Sequence, residues 1–470
     1  MTTMQLDTAL DWLRVHHVAA HCDADGRVLI SDMGSAKSVP PGLTTALAAY
    51  PGDLSALVPP DGAITPPMPR AIEWPALLEA DAFSGLAGDF VRVVSPHTEA
   101  DPAALLLQFL AAVGCIIGRG PHVPVEADRH GANLFLCLVG DSAKGRKGTS
   151  WGHVRAVCER VVPNWATGRV VDGIGSGQAL IECVRDARRD PRTDDVADPG
   201  ATDKRLLWQA PEFAGLLAAQ RMEGSTLSAV LRNAWDSGRL QVQTRTNPLM
   251  ATGAHIGVIA HITRAELLRV FTETDAMNGV ANRFLWAAVR RSKALPFGGD
   301  LAPDAMNGVV TGLHNALRFA RTVEALRWRE DAADHWRAVY PALSEARPGL
   351  LGAVTARAEA QVLRLALVYA LLDCSAVLAL EHLHAALAIW QYCDASAAWV
   401  FGDRVGDATA DTIFAALRGA GAGGMTRTEI SALFGRHLNA GRLAAALGTL
   451  ADARLARCES EVTTGRPVER

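Results

Sequence analysis

The sequence predicts an α/β protein with a central parallel sheet, and three observations carry that expectation. Short apolar runs recur at residues 134–139 (LFLCLV), 206–208 (LLW), 255–260 (HIGVIA) and 284–289 (FLWAAV). None alternates regularly with polar residues, which is the pattern of strands covered on both faces. Helical patterns separate the runs, the rhythm of βαβ units. The first run opens into a glycine-rich, cationic loop, Gly140 to Ser150 (GDSAKGRKGTS), ahead of a helical stretch at 151–162.

Composition bounds the rest. A chain of 470 residues has room for two to four domains and a large core. Hydrophobic residues at 49% and charged residues at 20% are ordinary for a globular protein. A net charge of −4 excludes a global attraction to nucleic acid, so any such contact must rest on local patches. The eight cysteines have no C-x-x-C spacing, which argues against a zinc site or a disulfide framework and for a reducing compartment. The start, MTTMQLDTAL, lacks a signal-peptide pattern. The longest apolar run, 103–117, is interrupted by Gln108 and Gly114 and is too short to span a bilayer. The expectation is a cytoplasmic protein that makes no use of a membrane.

Residues 1–58 form a self-contained pattern. Leu6, Ala9, Leu10 and Leu13 give a helical stripe, 27–31 a short strand, and Leu43, Leu47 and 54–58 further helix after Pro40–Pro41. This small α+β unit resembles docking modules of the TubC type. Residues 59–79 are rich in proline and glycine and read as a linker. The next stretch, 80–120, is strongly helical, with Thr98, Asp101 and Pro102 marking a helix start. His97 and Glu99 beside that start suit capping, or contact with an adenine.

The loop at 140–150 has the layout of a phosphate-binding loop. Small residues such as Gly140, Gly145 and Gly148 let backbone N–H groups turn onto phosphate oxygens. Lys144, Arg146 and Lys147 supply charge, and Thr149 and Ser150 supply hydroxyls for Mg²⁺. The strict G-x-x-x-x-G-K-[ST] pattern fails, because Arg146 and Lys147 occupy its last two positions. The loop fits when it is one or two residues longer, with Lys147 as the phosphate lysine and Thr149 or Ser150 on the metal. The alternative is a basic surface turn.

Gly173, Gly175 and Gly177 have no accompanying cation, so Ser176 is expected to cap a helix over 178–188. Residues 186–204, charged and broken by Pro191, Pro199 and Gly200, read as a solvated, mobile insertion. The run at 206–208 ends in QAPEF, where Glu212 is the acid available for a Mg²⁺ shell or for polarising water. An exposed loop residue is the other reading of Glu212. A hairpin arm follows, carrying Arg239 and Arg245. His261 and Thr263 close the third run, suited either to sensing a γ-phosphate or to capping the next helix. Arg283 stands just before the fourth run, at the edge of the core, where its fork suits a nucleotide on a neighbouring subunit.

Residues 304–400 are helical and read as a lid, with Arg357 and Arg364 seven apart on one face. Residues 426–470 read as a winged helix. One helix follows Thr426, two lie in HLNAGRLAAALGTLADARLAR, and a hairpin turns at TTGRP; Arg436, Arg442 and Arg466 offer positive charge to DNA.

From about residue 86 onward the chain resembles helicase-like P-loop ATPases associated with primase-polymerases of mobile elements. VGDSAKGRKGTSW, PEFAGLL, LSAVLRNAWDSG, TGAHIGVIAHIT, NGVANRFLW, AEAQVLRLALVYALLD and ISALFGRH carry the likeness. The order of parts is similar to an AAA+ ATPase of the MCM kind, a P-loop NTPase with an AAA+/RecA-like sheet. The resemblance implies ATP and Mg²⁺ as cofactors and a docking module at 1–58, an ATPase core at 80–295, a lid at 296–405 and a winged helix at 406–470. It implies His261 and Thr263 as sensor 1, Arg283 as an arginine finger, Arg357 as sensor 2, and the Arg239–Arg245 hairpin as a DNA-facing arm. It further implies a homo-oligomer, six-membered by analogy, working on single-stranded or forked DNA with a primase-polymerase. One departure stands out: relatives read V-x-E-P-E where this chain has WQAPE, so Ala210 replaces the first acid. An ATP-binding adaptor with little hydrolysis, or a regulator using the winged helix on one DNA sequence, are the alternatives.

Overall fold

The computed structural model describes residues 19–22, 28–32, 43, 47, 74–461 and 468–469, apart from 142–144, 191–192, 244–247, 348, 403, 405 and 453–454. The chain divides into two units, 1–72 and 73–470, and the division falls inside the expected linker. In the first unit β1 (Ala19–Cys22) pairs antiparallel with β2 (Val28–Asp32), and Leu43 and Leu47 are buried. Leu43 and Leu47 are helical, as expected; the rest of the helices expected of the docking module falls outside the described residues.

The second unit begins with helices α1 (Gly85–Val94) and α2 (Pro102–Ile117). Asp101 caps α2 by accepting from the Ala103 N–H at 2.9 Å, and Pro102 fills the first position, as the sequence predicts. A short hairpin, β3 (His122–Val125) and β4 (Asp128–Gly131), leads into β5 (Phe135–Gly140). The chain continues through α3 (Lys147–Val161), α4 (Pro163–Gly168), β6 (Val170–Val171) and α5 (Gly177–Glu182). Ser176 caps α5, which is shorter than predicted.

The charged insertion is ordered in its described part. It folds into the hairpin β7 (Arg188–Arg189) and β8 (Val196–Asp198). Arg185 grips both oxygens of Asp198 at 2.6 and 2.9 Å, and Lys204 pairs with Asp186 at 2.8 Å. Where composition suggested a solvated insertion, the described part forms a hairpin in which complementary charges thirteen and eighteen residues apart pair.

Then come β9 (Arg205–Ala210), α6 (Phe213–Arg221), α7 (Leu227–Trp235), the hairpin β10 (Leu240–Val242) and β11 (Leu249–Ala251), β12 (His255–Thr263), α8 (Arg264–Val270), α9 (Glu273–Met277) and β13 (Phe284–Val289). Five strands form one sheet in the order β13-β5-β12-β9-β6, with every pairing parallel. The chain leaves β5 for the far edge, returns strand by strand to β12, then steps over β5 to β13. Right-handed crossovers in opposite directions put α3 and α8 on opposite faces. The order reverses between β5 and β12, where open α/β sheets form a crevice at the carboxyl ends of their strands.

Side chains alternate between two cores. Leu136, Leu138, Ile259 and Leu285 pack with α2 and α3, whereas Phe135, Cys137, Val139, Trp208 and Val258 pack with α5, α6 and α7. Both faces are covered, so the strands read as unbroken apolar runs.

Beyond the sheet lie α10 (Asn307–Ala320), β14 (Arg327–Trp328), α11 (Glu330–Leu343), α12 (Gly349–Thr355), α13 (Ala358–Leu372), β15 (Val377–Leu378) and α14 (Leu380–Phe401). Leu313, Leu367 and Ile389 of α10, α13 and α14 share one core with Leu136 and Leu285, and the Tyr392 hydroxyl donates to the Ala288 carbonyl. The region expected as a lid is therefore a layer of the main core. The sequence ends with α15 (Ala408–Ala420), α16 (Arg427–Leu433), α17 (Ala440–Asp452), and the two-stranded β16 (Ser460–Glu461) and β17 (Val468–Glu469). Three helices enclose their own cluster around Ile413, Ile430 and Leu450. Thr426 caps α16 with a capping box, as its sequence suggests. The stretch expected to form two helices forms only α17; α15 supplies the third.

His255, at the start of β12, is buried, and its Nε2 lies 2.9 Å from the Gly114 carbonyl. A carbonyl only accepts, so Nε2 carries the proton, and Nδ1 is buried without a partner. Burial pushes the imidazole down to about 3. The unfolded chain takes that proton near pH 6.5, so it binds more protons than the fold between about 6.5 and 3, and stability falls as pH falls through that window. Acidification from pH 6.5 to 5 is expected to cost about 2 kcal/mol from this residue. Urea unfolding of wild type and His255→Gln across that range checks it; an identical pH slope in the variant would exclude His255 as the source.

Candidate phosphate-binding site

The loop that the sequence assigns to phosphate lies at the topological reversal, at the carboxyl end of its strand. The loop leaves β5 at Gly140, and Thr263 at the end of β12 lies in register with Gly140. Lys144 lies outside the described residues. Arg146 adopts φ 53° and ψ 26°, a left-handed turn costly for a side-chain-bearing residue, and directs the chain into α3. Helix α3 starts at Lys147, earlier than predicted, so Lys147, Gly148 and Thr149 form the first turn, where N–H groups face out of the helix. The Arg146 carbonyl takes up the Thr149 and Ser150 N–H groups at 3.1 and 3.4 Å.

Lys147 folds back over the loop. A Cβ built on Gly145 would meet its Nζ at 4.0 Å and the Gly140 Cα at 3.9 Å. The ammonium is half-buried, and desolvation lowers its pKa against the opposing effects of Cys137 and Glu266. Arg146 points elsewhere: its Nε lies 2.7 Å from Glu99 Oε2. Glu99 is buried and also receives Arg291 and the Leu295 N–H, which holds its carboxyl below the usual range. Arg146, assigned to nucleotide by sequence, is thus a fastener of the loop. Glu99, 47 positions earlier, neither caps α2 nor stands free.

The two hydroxyls also part company. Ser150 is fully buried; Gln108 Nε2 donates to its Oγ, which in turn donates to the Lys147 carbonyl at 2.7 Å. That engagement removes Ser150 from the metal site first assigned to it. Thr149 is exposed at the helix start and is the hydroxyl left for Mg²⁺.

His261 and Thr263 separate in the same way. Thr263 caps α8 by accepting from the Glu266 N–H at 3.2 Å. His261 therefore does not cap, and its Nε2 is buried without a partner. Burial first, and then the Lys147 charge, push its imidazole down to about 4, so it is neutral at pH 7.

Glu212 stands at the start of α6, exposed and with no capping hydrogen bond, two residues past β9. In the sheet, β12 lies between its strand and the strand that carries the phosphate loop. Ala210 is buried in β9 and pairs in register with Ala260.

Two assigned arginines lie at the opposite end of the sheet. Arg283 precedes Phe284, which is in register with Phe135 at the start of β5, so a full strand, about 20 Å, separates it from the loop. Its side chain is enclosed: Nη2 bonds Asp236 at 2.6 Å, and Nη1 donates to the Gly279 carbonyl. It is no exposed finger, and it meets a neighbour only by leaving Asp236. Arg357, just before α13, also pairs with Asp236, at 3.7 Å, and does not approach its own phosphate loop.

Of the cations assigned to DNA, Arg239 is exposed beside the β10–β11 hairpin, and Arg436 is exposed after α16. Arg442 is tied to Asp407 at 2.7 Å. Arg245 and Arg466 lie outside the described residues.

ATP and Mg²⁺ fit the crevice in part. A lysine over a glycine-lined turn, a helix N-terminus, the Thr149 hydroxyl and the orphaned His261 Nε2 suit a bound phosphate. Among the described residues no three acidic, histidine or cysteine side chains gather to hold a metal ion. A cation here would thus share its shell with phosphate oxygens. No described helix is long and apolar enough to cross a membrane. Comparison with protein-family models gives no match, and comparison with curated proteins gives none.

Proposed function

We propose that the chain is an ATPase of the helicase-like, DNA-translocating class, binding ATP at Gly140–Thr149. The observation that carries this reading is the glycine-lined loop with Lys147 folded over it, beside the unpartnered His261 at the sheet's reversal point. The Lys147 ammonium and the backbone N–H groups of Lys147 and Gly148 would hold the phosphates and Thr149 the Mg²⁺, which supplies charge neutralisation when bound. Neutral His261 is suited to donate to, or accept from, a group at the γ-phosphate position. Glu212, following the strand one further from the loop, is the carboxylate that the sequence assigns to orienting water. The exposed Arg239 and Arg436 supply charge for a DNA strand. The action on DNA, the homo-oligomer and the primase-polymerase partner come from the resemblance of the sequence phrases.

One observation favours a second reading. Ala210 is buried where the ATPases that the sequence resembles carry an acid, and Glu212 is exposed without a capping hydrogen bond. An adaptor that binds ATP as a switch and hydrolyses it slowly has those features.

ATP turnover by wild type and Glu212→Gln, with and without single-stranded DNA, separates the two. The motor reading expects DNA-stimulated turnover that falls at least about tenfold in the variant, as loss of a water-orienting base implies. ATP binding with no turnover in either protein would favour the adaptor. Equal turnover in both would remove Glu212 from the mechanism.

A further inference from the structure

At the edge of the sheet opposite the phosphate loop, positive charge outnumbers its partners. Arg364, Arg357 and Arg283 lie 3.6, 5.4 and 5.5 Å from the centre of the Trp235 ring, and Arg119 donates to the Asp236 carbonyl at 2.6 Å. Asp236 is the carboxylate that pairs with Arg283 and Arg357. Among the described residues here, four guanidiniums outnumber the carboxylates of Asp236 and Glu359, which leaves a local positive potential that draws an anion.

Beside that cluster runs a groove of about 450 Å³. Trp336 and Tyr340, one turn apart on α11, form one wall; Arg357, Asn282 and His130 contribute to the rest. Trp336 stacks on Trp328 at 5.7 Å, which fixes its ring, and Tyr340 meets it edge-on at 5.5 Å. Tyr340 is about half exposed although large and aromatic, and the His130 Nδ1 is buried with no partner. A firm aromatic wall, unpaired ring nitrogen, side-chain amide and arginine are the elements that recognise a base together with its phosphate. Glu359 lines the same groove and opposes a second phosphate next to Arg357.

We propose that this groove binds a nucleotide unit, its base against Trp336 and Tyr340 and its phosphate on Arg357. The proposal does not depend on the phosphate loop. A free mononucleotide and one residue of a single strand present the same chemistry.

The test uses the full chain with two probes, 5′-AMP and a twelve-residue oligothymidylate carrying one photo-crosslinking iodouracil. Mass spectrometry of the crosslinked peptide is expected to map to α11. Tyr340→Ala and Arg357→Gln are each expected to weaken probe binding about tenfold, the scale of one lost stacking contact or one phosphate contact. Lys147→Ala is expected to leave both probes unaffected at the groove. A crosslink that AMP does not compete away assigns the groove to a single strand; protection by AMP assigns it to a free nucleotide. Crosslinks confined to other peptides, wild-type binding by Tyr340→Ala, or loss of the α11 crosslink in Lys147→Ala would each overturn the proposal. Tyr340 is exposed, so Tyr340→Ala decides alone if Arg357→Gln does not fold, with thermal melting as the control.

Discussion

Lys147→Ala is expected to weaken ATP binding roughly a hundredfold, about 3 kcal/mol, the scale of one buried charged hydrogen bond. Lys147 places its Nζ beside Gly145, and its ammonium is half-buried, with desolvation lowering its pKa. A phosphate there would gain an interaction little screened by solvent. Arg146→Ala provides the contrast. Its guanidinium is taken up by Glu99 at 2.7 Å, so its loss is expected to loosen the loop and reduce affinity far less. Titration calorimetry or a fluorescent ATP analogue measures both. Equal losses would mean that charge alone, and not the fold-back of Lys147, attracts the nucleotide. Unchanged affinity in Lys147→Ala would remove ATP from this crevice and the ATPase reading with it.

Arg364→Ala is expected to destabilise the fold by about 4 kcal/mol. Arg364 is fully enclosed on α13; Nη1 bonds the Asn133 carbonyl at 3.1 Å and Nη2 the Trp235 carbonyl at 2.8 Å. Its ring partner is Trp235 at 3.6 Å. Burial pushes the guanidinium down to about 9, and neighbouring arginines add to that direction. Removing it strips buried hydrogen bonds from the Asn133 carbonyl, the Asn133 Oδ1 and the Trp235 carbonyl and leaves a cavity beside Trp235, each a recognised source of large losses. Arg364→Met keeps most of the volume and isolates the hydrogen-bond part, so it is expected to recover only a fraction of the loss. Urea unfolding of both variants gives the values. A loss below about 1 kcal/mol in Arg364→Ala would show that the carbonyls find other partners. Asn133 lies two residues before β5, so this anchor also steadies the strand that carries the phosphate loop.

The strands were the most legible part of the chain. β13 spans the predicted residues, and β5, β9 and β12 were found with ends displaced by one to three residues. Their apolar runs are dictated by cover on both faces, which any parallel sheet imposes. The caps at Asp101, Ser176 and Thr426 were legible for a similar reason, because a helix end is satisfied by its nearest polar side chain. The pairing of 188–189 with 196–198 was not, because ion pairs between distant positions accompany it rather than a local propensity.

The candidate site divides along the same line. The glycines, the cations and the choice of Thr149 or Ser150 could be read from spacing, since a phosphate loop is a local feature. Which member of each pair is available was decided elsewhere in the chain. Gln108 on α2 occupies Ser150, Glu99 occupies Arg146, and Glu266 on α8 draws Thr263 into a cap while leaving His261 unpaired. The order of strands belongs here too: β12, and not the strand leading to Glu212, neighbours the loop. By itself the sequence determined that this is an α/β protein with a glycine-rich, cationic loop, because burial pattern and backbone freedom are properties of short segments. The tertiary structure alone decided that Arg146 fastens the loop to Glu99 and that Ser150 is enclosed by Gln108, because a side chain's engagement depends on whichever distant group packs against it.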